Sequence, residues 1–207
     1  MRSFVIANGT SRSGFDLNIL KPFGKTYGCN ALYRDFSPDY IGAIDRPMVD
    51  EMVREGAWQN SEMIVKHKYP ASFNPFPRAK LYVKTFEETF GKDKHYDTGQ
   101  TMLDLASKHL EEGEIYLLGF DLTEYIDQSQ RNIRNKIDNI YAGTDGYAPL
   151  DAVEKYSGKW IDEMTRIFSL NEKIKYYRVG ARIIPVVWKT FNNLKHINYD
   201  EFMEKLK

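Results

Sequence analysis

The sequence predicts a Rossmann-like three-layer α/β sandwich, built as a single domain over residues 1–207 around a mostly parallel sheet. Three observations predict it. Short apolar runs of strand length alternate with segments of helical period, the pattern of parallel strands joined by crossover helices. Four of these runs close on a small polar or acidic residue, namely Asn8, Asn30, Asp45 and Asp121. No internal repeat or low-complexity linker divides the chain.

The elements follow in order. Phe4–Ala7 reads as a first buried strand, and Phe15–Leu20 has the apolar spacing of a short helical turn. Lys25–Asn30 and Tyr40–Asp45 read as the second and third strands. Arg46 and Pro47 open a helix that stops near Gly56, since proline suits a first helical position and glycine an end. Ser61–Lys66 is a fourth strand, and residues 69–77, with three prolines, read as an irregular connection. Met102, Leu103, Leu105, Ala106 and Leu110 mark an amphipathic helix capped by Asp97 or Thr98. Ile115–Asp121 is the clearest buried strand; the pattern then weakens from Thr123 to Gly158. A helix over 157–170, a strand over Lys173–Val179 and a helix over Asn198–Leu206 complete the chain.

Charge and cysteine content narrow the function classes. Lys+Arg and Asp+Glu are 29 each, so no overall field draws the chain to nucleic acid or an anionic membrane. The single cysteine, Cys29, forms no intrachain disulfide and fits a reducing, cytoplasmic setting. No run approaches the roughly 18 apolar residues of a membrane span, and the apolar start is interrupted at Asn8 before it reaches signal-peptide length.

In an open α/β sheet the carboxyl ends of the strands meet at one crevice. Asn8, Asn30, Asp45 and Asp121 would converge there, unless each merely caps its own strand or turn. An asparagine side chain pairs an acceptor with a donor and reads a base edge, a ribose or a phosphate without burying a charge. Thr98-Gly99 at a helix start adds backbone N–H groups and the positive helix end, a natural phosphate seat. His95 lies just before it, as a phosphate partner, a base or a solvated loop residue. The four histidines are scattered and Cys29 has no partner at ligand spacing, so no metal is expected. Residues 123–158 read as a solvated helix and turn or as a lid, with Arg131, Arg134 or Lys136 meeting phosphate and Tyr141 or Tyr147 closing on substrate.

Three stretches taken together resemble a known superfamily. A-N-G-T-S (7–11), C-N (29–30), and T-G (98–99) leading to I-Y-L-L-G-F-D (115–121) resemble the metal-independent bacterial sialyltransferases that use CMP-sialic acid. Their pattern is G-N-G-x-S, C-N, T-S-G, a helix and I-Y-L-x-G-x-D. The motility-associated bacterial glycosyltransferases share this scaffold. Order and approximate spacing match over roughly residues 3–122. The resemblance implies that Asn8, Gly9, Thr10, Ser11 and Asn30 contact a cytidine nucleotide, and that Thr98 and Gly99 sit against its ribose or phosphate. Ala7 stands where the family has glycine and Thr98-Gly99 where it has Ser-Gly. The family histidine of Tyr-x-Gly-His falls on Thr144, and the tyrosine beyond Gly-x-Asp falls on Thr123, with Tyr125 nearby. The base would then be Asp45, His95 or Asp121. The chain also lacks the family's membrane-associating tail, as do similar small phage-encoded proteins, which implies an infected bacterial cytoplasm.

The expected activity is metal-independent transfer from a nucleotide sugar, a CMP-sugar first, needing no cofactor beyond that donor. The alternatives are a nucleotide-binding or sequestering protein without catalysis, motivated by Thr144, and a nucleic-acid-modifying glycosyltransferase, motivated by the basic stretch 131–136. The acceptor and any homo-oligomer stay open, and no membrane partner is expected.

Overall fold

In the computed structural model, which describes residues 1–91, 96–122, 138–152, 158–181 and 184–207, one sheet of eight strands runs through the molecule. The strands are β1 (Arg2–Ile6), β2 (Lys25–Cys29), β3 (Tyr40–Ala43), β4 (Glu62–Val65), β5 (Lys84–Thr85), β6 (Gly113–Leu118), β7 (Ile174–Val179) and β8 (Leu194–Ile197). Their order is β5-β4-β3-β2-β1-β6-β7-β8, and every pairing is parallel. The chain winds outward from β1 to β5, then returns to the other side of β1 at β6. β1 therefore marks the reversal of strand order.

The helices among the described residues are α1 (Arg46–Arg54), α2 (Pro70–Phe73), α3 (Pro77–Tyr82), α4 (Phe86–Phe90), α5 (Thr98–Leu110), α6 (Gly158–Leu170) and α7 (Tyr199–Leu206). They cover both faces of the sheet. Because side chains alternate along a strand, Phe4, Ile6, Tyr116 and Leu118 pack under α1 and α7, while Val5, Ile115 and Leu117 pack under α5 and α6. Strands covered on both sides must be apolar throughout, which is why β1 and β6 read as continuous hydrophobic runs. Each fully buried aliphatic or phenyl side chain there contributes about 1.5–3 kcal/mol. No described helix is long and apolar enough to cross a membrane.

The structure departs from the sequence reading in three places. Residues 69–77 are not irregular: Pro70 and Pro77 each begin a short helix, α2 and α3. Proline there removes a donor that a first turn leaves unpaired anyway, so it starts a helix instead of breaking one. The edge strands β5 and β8 add to the expected set. Asp97 occupies the cap position of α5 but makes no side-chain cap hydrogen bond.

Candidate functional site

The crevice lies where β1 ends between β2 and β6. The backbones of β1 and β6 stay paired past their last strand residues, with Ala7 N donating to Leu118 O and Gly9 N to Gly119 O, both at 2.9 Å. Gly9 has an ordinary φ of −65°, so its lack of a side chain answers a close approach. A Cβ there would lie 2.4 Å from Asp121 Oδ2 and 2.5 Å from Gly119 O. In dinucleotide folds a glycine at this turn leaves room for pyrophosphate; here the Asp121 carboxylate fills that room. Ser11 N donates to Asp121 Oδ2 at 2.8 Å, and Thr10 gives both its N–H, at 3.0 Å, and its hydroxyl to Asp138. Gly9 and Thr10, expected at the nucleotide, are thus engaged by protein groups.

Unsatisfied polar groups also lie toward β2. Asn8 is 6% exposed; its Nδ2 donates to Tyr147 Oη at 2.9 Å, and its Oδ1 has no partner among the described residues. Asn30 Oδ1 is likewise buried and unpartnered. Asn30 also holds a left-handed φ of +53°, a conformation uncommon for residues with side chains, in which asparagine is enriched. Ala31 N donates to the same Tyr147 Oη at 3.3 Å, which brings the ends of β1 and β2 to one hydroxyl. Tyr147 Oη has one proton of its own, and turning the Asn8 amide over would give that proton an acceptor while leaving Nδ2 in the crevice. The amide therefore offers the crevice an acceptor in one orientation and a donor in the other.

The described part of the expected lid, residues 138–152, lies over these groups. Ile140 N donates to Asn8 O at 2.8 Å. Tyr141 is buried, accepting from Arg12 Nη2 at 3.1 Å and donating to Asp35 Oδ2 at 2.6 Å. Burial and the Asp35 carboxylate push the Tyr141 hydroxyl well above the tyrosine range, so it stays protonated. Thr144, where the resemblance puts a histidine, is exposed; it accepts from Arg34 Nη1 at 2.8 Å and donates to Tyr141 O at 2.6 Å. A threonine so engaged is a strut and no proton acceptor. His95, Thr123, Tyr125, Arg131, Arg134 and Lys136 lie outside the described residues.

The amino end of α5 borders the crevice on the opposite face. A Cβ on Gly42 of β3 would meet Thr98 Cγ2 at 3.5 Å, and one on Gly99 would meet Phe120 Cε1 at 3.5 Å. The first turn of α5 thus reaches from the end of β3 to the segment after β6, past Asn30 and Asn8. Asp97 is held away from it, accepting from Lys159 Nζ at 2.8 Å and from Trp160 Nε1 at 2.7 Å. Asp97 thus makes no side-chain cap to this thirteen-residue helix, and its own N–H donates to Glu163 Oε2 at 3.2 Å. Two carboxylates therefore border the amino end, while the first-turn N–H groups have no side-chain cap.

Of the base candidates, Asp121 is 6% exposed and Asp45 is exposed at the start of α1 without a cap hydrogen bond. Burial raises the Asp121 carboxyl above its ordinary value; the nearby Ser11 hydroxyl and the hydrogen bond from Ser11 N oppose this, the Asp138 charge adds to it and Arg178 opposes it. Arg178, wholly buried, donates Nε to Phe120 O at 2.6 Å and Nη2 to Asp121 O at 2.5 Å, fixing the turn that aims the carboxylate. Burial lowers this guanidinium only to about 10, so it remains charged at neutral pH. Cys29 is buried and its thiol is pushed up to about 12, which removes it as a nucleophile.

Sequence reasoning missed Arg12, Arg178 and Tyr199. Only the capping box Asn198–Glu201, which positions Tyr199 at the start of α7, had a readable signal. Among the described residues no group of three His, Cys, Asp or Glu could hold a metal ion. Hollows of about 490 and 520 Å³ lie beside β4–β5 and at the amino ends of β1–β3, but none of the buried unpartnered polar atoms lines them. Unsatisfied chemistry, not the size of a hollow, marks the crevice. In comparison with known proteins, the chain matches no protein-family model and no curated protein.

Proposed function

We propose that the crevice binds the nucleoside phosphate of a nucleotide sugar and that the chain is a metal-independent glycosyltransferase, with a CMP-sugar as the first donor to test. One observation carries the reading. Among the described residues, Asn8 Oδ1 and Asn30 Oδ1 are buried and unpartnered at the reversal of strand order, near a helix amino end whose cap residue makes no side-chain cap hydrogen bond. A buried amide without a partner costs about 1–3 kcal/mol, and a ligand that supplies the missing bonds removes that penalty. The asparagines suit a base edge or a ribose hydroxyl, which both donates and accepts. The first turn of α5 suits the phosphate, and it would stabilise the leaving group as the glycosidic bond breaks.

The test is a melting-temperature screen with CMP, UMP, UDP, GDP and their sugars, followed by assay of transfer or hydrolysis. A bound nucleotide raises stability by RT ln(1 + [L]/Kd), about 2.7 kcal/mol at a hundredfold excess over Kd. No shift from any nucleotide would remove the reading.

A second reading, nucleotide binding without turnover, is favoured by Thr144, whose hydroxyl is engaged between Arg34 and Tyr141 O where the resemblance calls for a histidine. It expects the melting shift with no consumption of any nucleotide sugar. Detected transfer would eliminate it.

A further inference from the structure

Beyond the asparagine pair, three oxygens are buried without a partner among the described residues: Ser11 Oγ, Asp121 Oδ1 and Tyr199 Oη. They come from the segment after β1, the segment after β6 and the first residue of α7. The loop after β1 links the other two. Ser11 N holds Asp121 Oδ2 at 2.8 Å, and four residues on the Phe15 ring lies 5.0 Å from the Tyr199 ring. Tyr199 covers Gly180, just past β7, where a Cβ would lie 2.5 Å from Tyr199 Cε2. β7 is the neighbour of β6, with Val179 opposite Leu118. The three oxygens therefore gather over the ends of β6 and β7, on the side of β1 away from Asn30. Burial pushes the Tyr199 hydroxyl to about 12, with the Asp121 charge raising it further and Arg12 opposing.

This cluster differs in chemistry from the asparagine side. One carboxylate oxygen accepts hydrogen bonds, and two hydroxyls donate and accept. A carboxylate repels phosphate, so the matching ligand is neutral and carries adjacent hydroxyl groups. We propose that Ser11, Asp121 and Tyr199 form a polyol subsite that holds the acceptor sugar, with Asp121 Oδ1 taking the proton of the attacking hydroxyl. The transfer step rests on the nucleotide-sugar reading of the crevice. The acceptor oxygen bonds to the anomeric carbon as its proton passes to Asp121 Oδ1. The bond from that carbon to the phosphate oxygen breaks, and its electron pair leaves with the nucleoside phosphate. Asp121 then releases the proton to water.

The experiment is saturation-transfer NMR on the full chain with methyl α-glucopyranoside, methyl β-galactopyranoside and myo-inositol as probes. Wild type, Asp121→Asn and Tyr199→Phe are compared, with CMP melting shifts measured in parallel. At least one probe is expected to bind wild type, and both variants to bind it about tenfold or more weakly, because each loses a hydrogen bond to a buried group. Tyr199→Phe removes one oxygen from a ring whose packing on Phe15 and Gly180 is unchanged, so it tests the subsite even if Asp121→Asn folds poorly. No binding of any probe, or binding by both variants as tight as wild type, would overturn the proposal. So would loss of the CMP shift in Tyr199→Phe, since the subsite would then not be separate from the nucleotide. A wild type that binds a sugar through these residues but shifts with no nucleotide upholds the polyol subsite and refutes the nucleotide reading instead.

Discussion

Substituting Gly9 by alanine tests whether the junction between the β1 and β6 loops is as tight as its contacts imply. Gly9 has φ −65° and ψ 150°, a conformation open to any residue, so alanine meets no backbone strain there. Its methyl would instead lie 2.4 Å from Asp121 Oδ2 and 2.5 Å from Gly119 O. Neither atom can easily yield: Ser11 N holds the first at 2.8 Å, and the second is backbone, bonded to Gly9 N at 2.9 Å. Overpacking of this kind costs about 1–3 kcal/mol, and loss of the hydrogen bond to the carboxylate adds about 1.5–3. With about 4 kcal/mol in total and about 2–4 °C per kcal/mol for a chain of this size, Tm falls by about 8–16 °C. Gly14 supplies the converse control, having a φ of +79° and nothing within 4 Å of an added Cβ. Alanine there meets only the left-handed penalty of about 1–2 kcal/mol, a fall of about 2–8 °C. Thermal melts followed by circular dichroism on Gly9→Ala and Gly14→Ala make the comparison. If Gly9→Ala loses no more than Gly14→Ala, the carboxylate does not fill the turn and the account of the junction is wrong.

Three further outcomes follow from the same geometry. Asn30→Gly relieves a left-handed φ of +53° and removes an unpartnered buried oxygen, so it should raise Tm by about 2–4 °C for about 1 kcal/mol while abolishing any nucleotide-induced shift; melts with and without CMP check both halves. Asp121 has its carboxyl raised by burial, so its contribution to stability is complete below the ordinary value and declines as pH rises through the raised one; Asp121→Asn should gain on wild type from about pH 4 upward, read from urea midpoints across pH. His196 runs the other way: burial, aided by Arg178, lowers it from 6.5 to about 4, so stability is complete above pH 6.5 and is lost as pH falls toward 4. His196→Phe, which keeps a ring against Trp188, should flatten that acid-side loss, and an unchanged pH profile would refute the assignment.

How much of this was legible depended on whether the physics is local. The central strands were readable because burial on both faces leaves only apolar residues, as in the run I-Y-L-L of β6. α5 and α6 were readable from their apolar period, and α7 from its capping box. β5 and β8 were not, because a two-residue edge strand and the sequence L-K-H-I are defined by pairing with a neighbour and by no internal pattern. The site divides in the same way. That Asn8, Asn30 and Thr98 reach one end of the sheet follows from strand polarity alone. That Asp121 fills the space Gly9 leaves, that Asp97 turns from its helix to Trp160, and that Arg178 is wholly buried are long-range facts. In sequence an arginine reads as surface, and only its carbonyl partners show otherwise.

The placement of the unpartnered atoms has its own logic. The apolar faces of the sheet supply the folding free energy, and they close without help from the strand ends. The carboxyl ends can therefore remain polar and imperfectly satisfied at a penalty of a few kcal/mol in total, which the two cores outweigh. The unpartnered atoms are also not scattered: apart from His196, they flank β1, with amide oxygens toward β2 and hydroxyl and carboxylate oxygens toward β6 and β7. The two sides differ in charge as well as in donor set. The amide side lies near the amino end of α5, whereas on the other side the Asp121 carboxylate lies with the hydroxyls. A phosphate-bearing donor and a neutral polyhydroxyl acceptor fit that polarity in only one arrangement. Reversing it would set phosphate against Asp121 and leave the amino end of α5 without an anion. The asymmetry thus selects an orientation before any shape complementarity is considered.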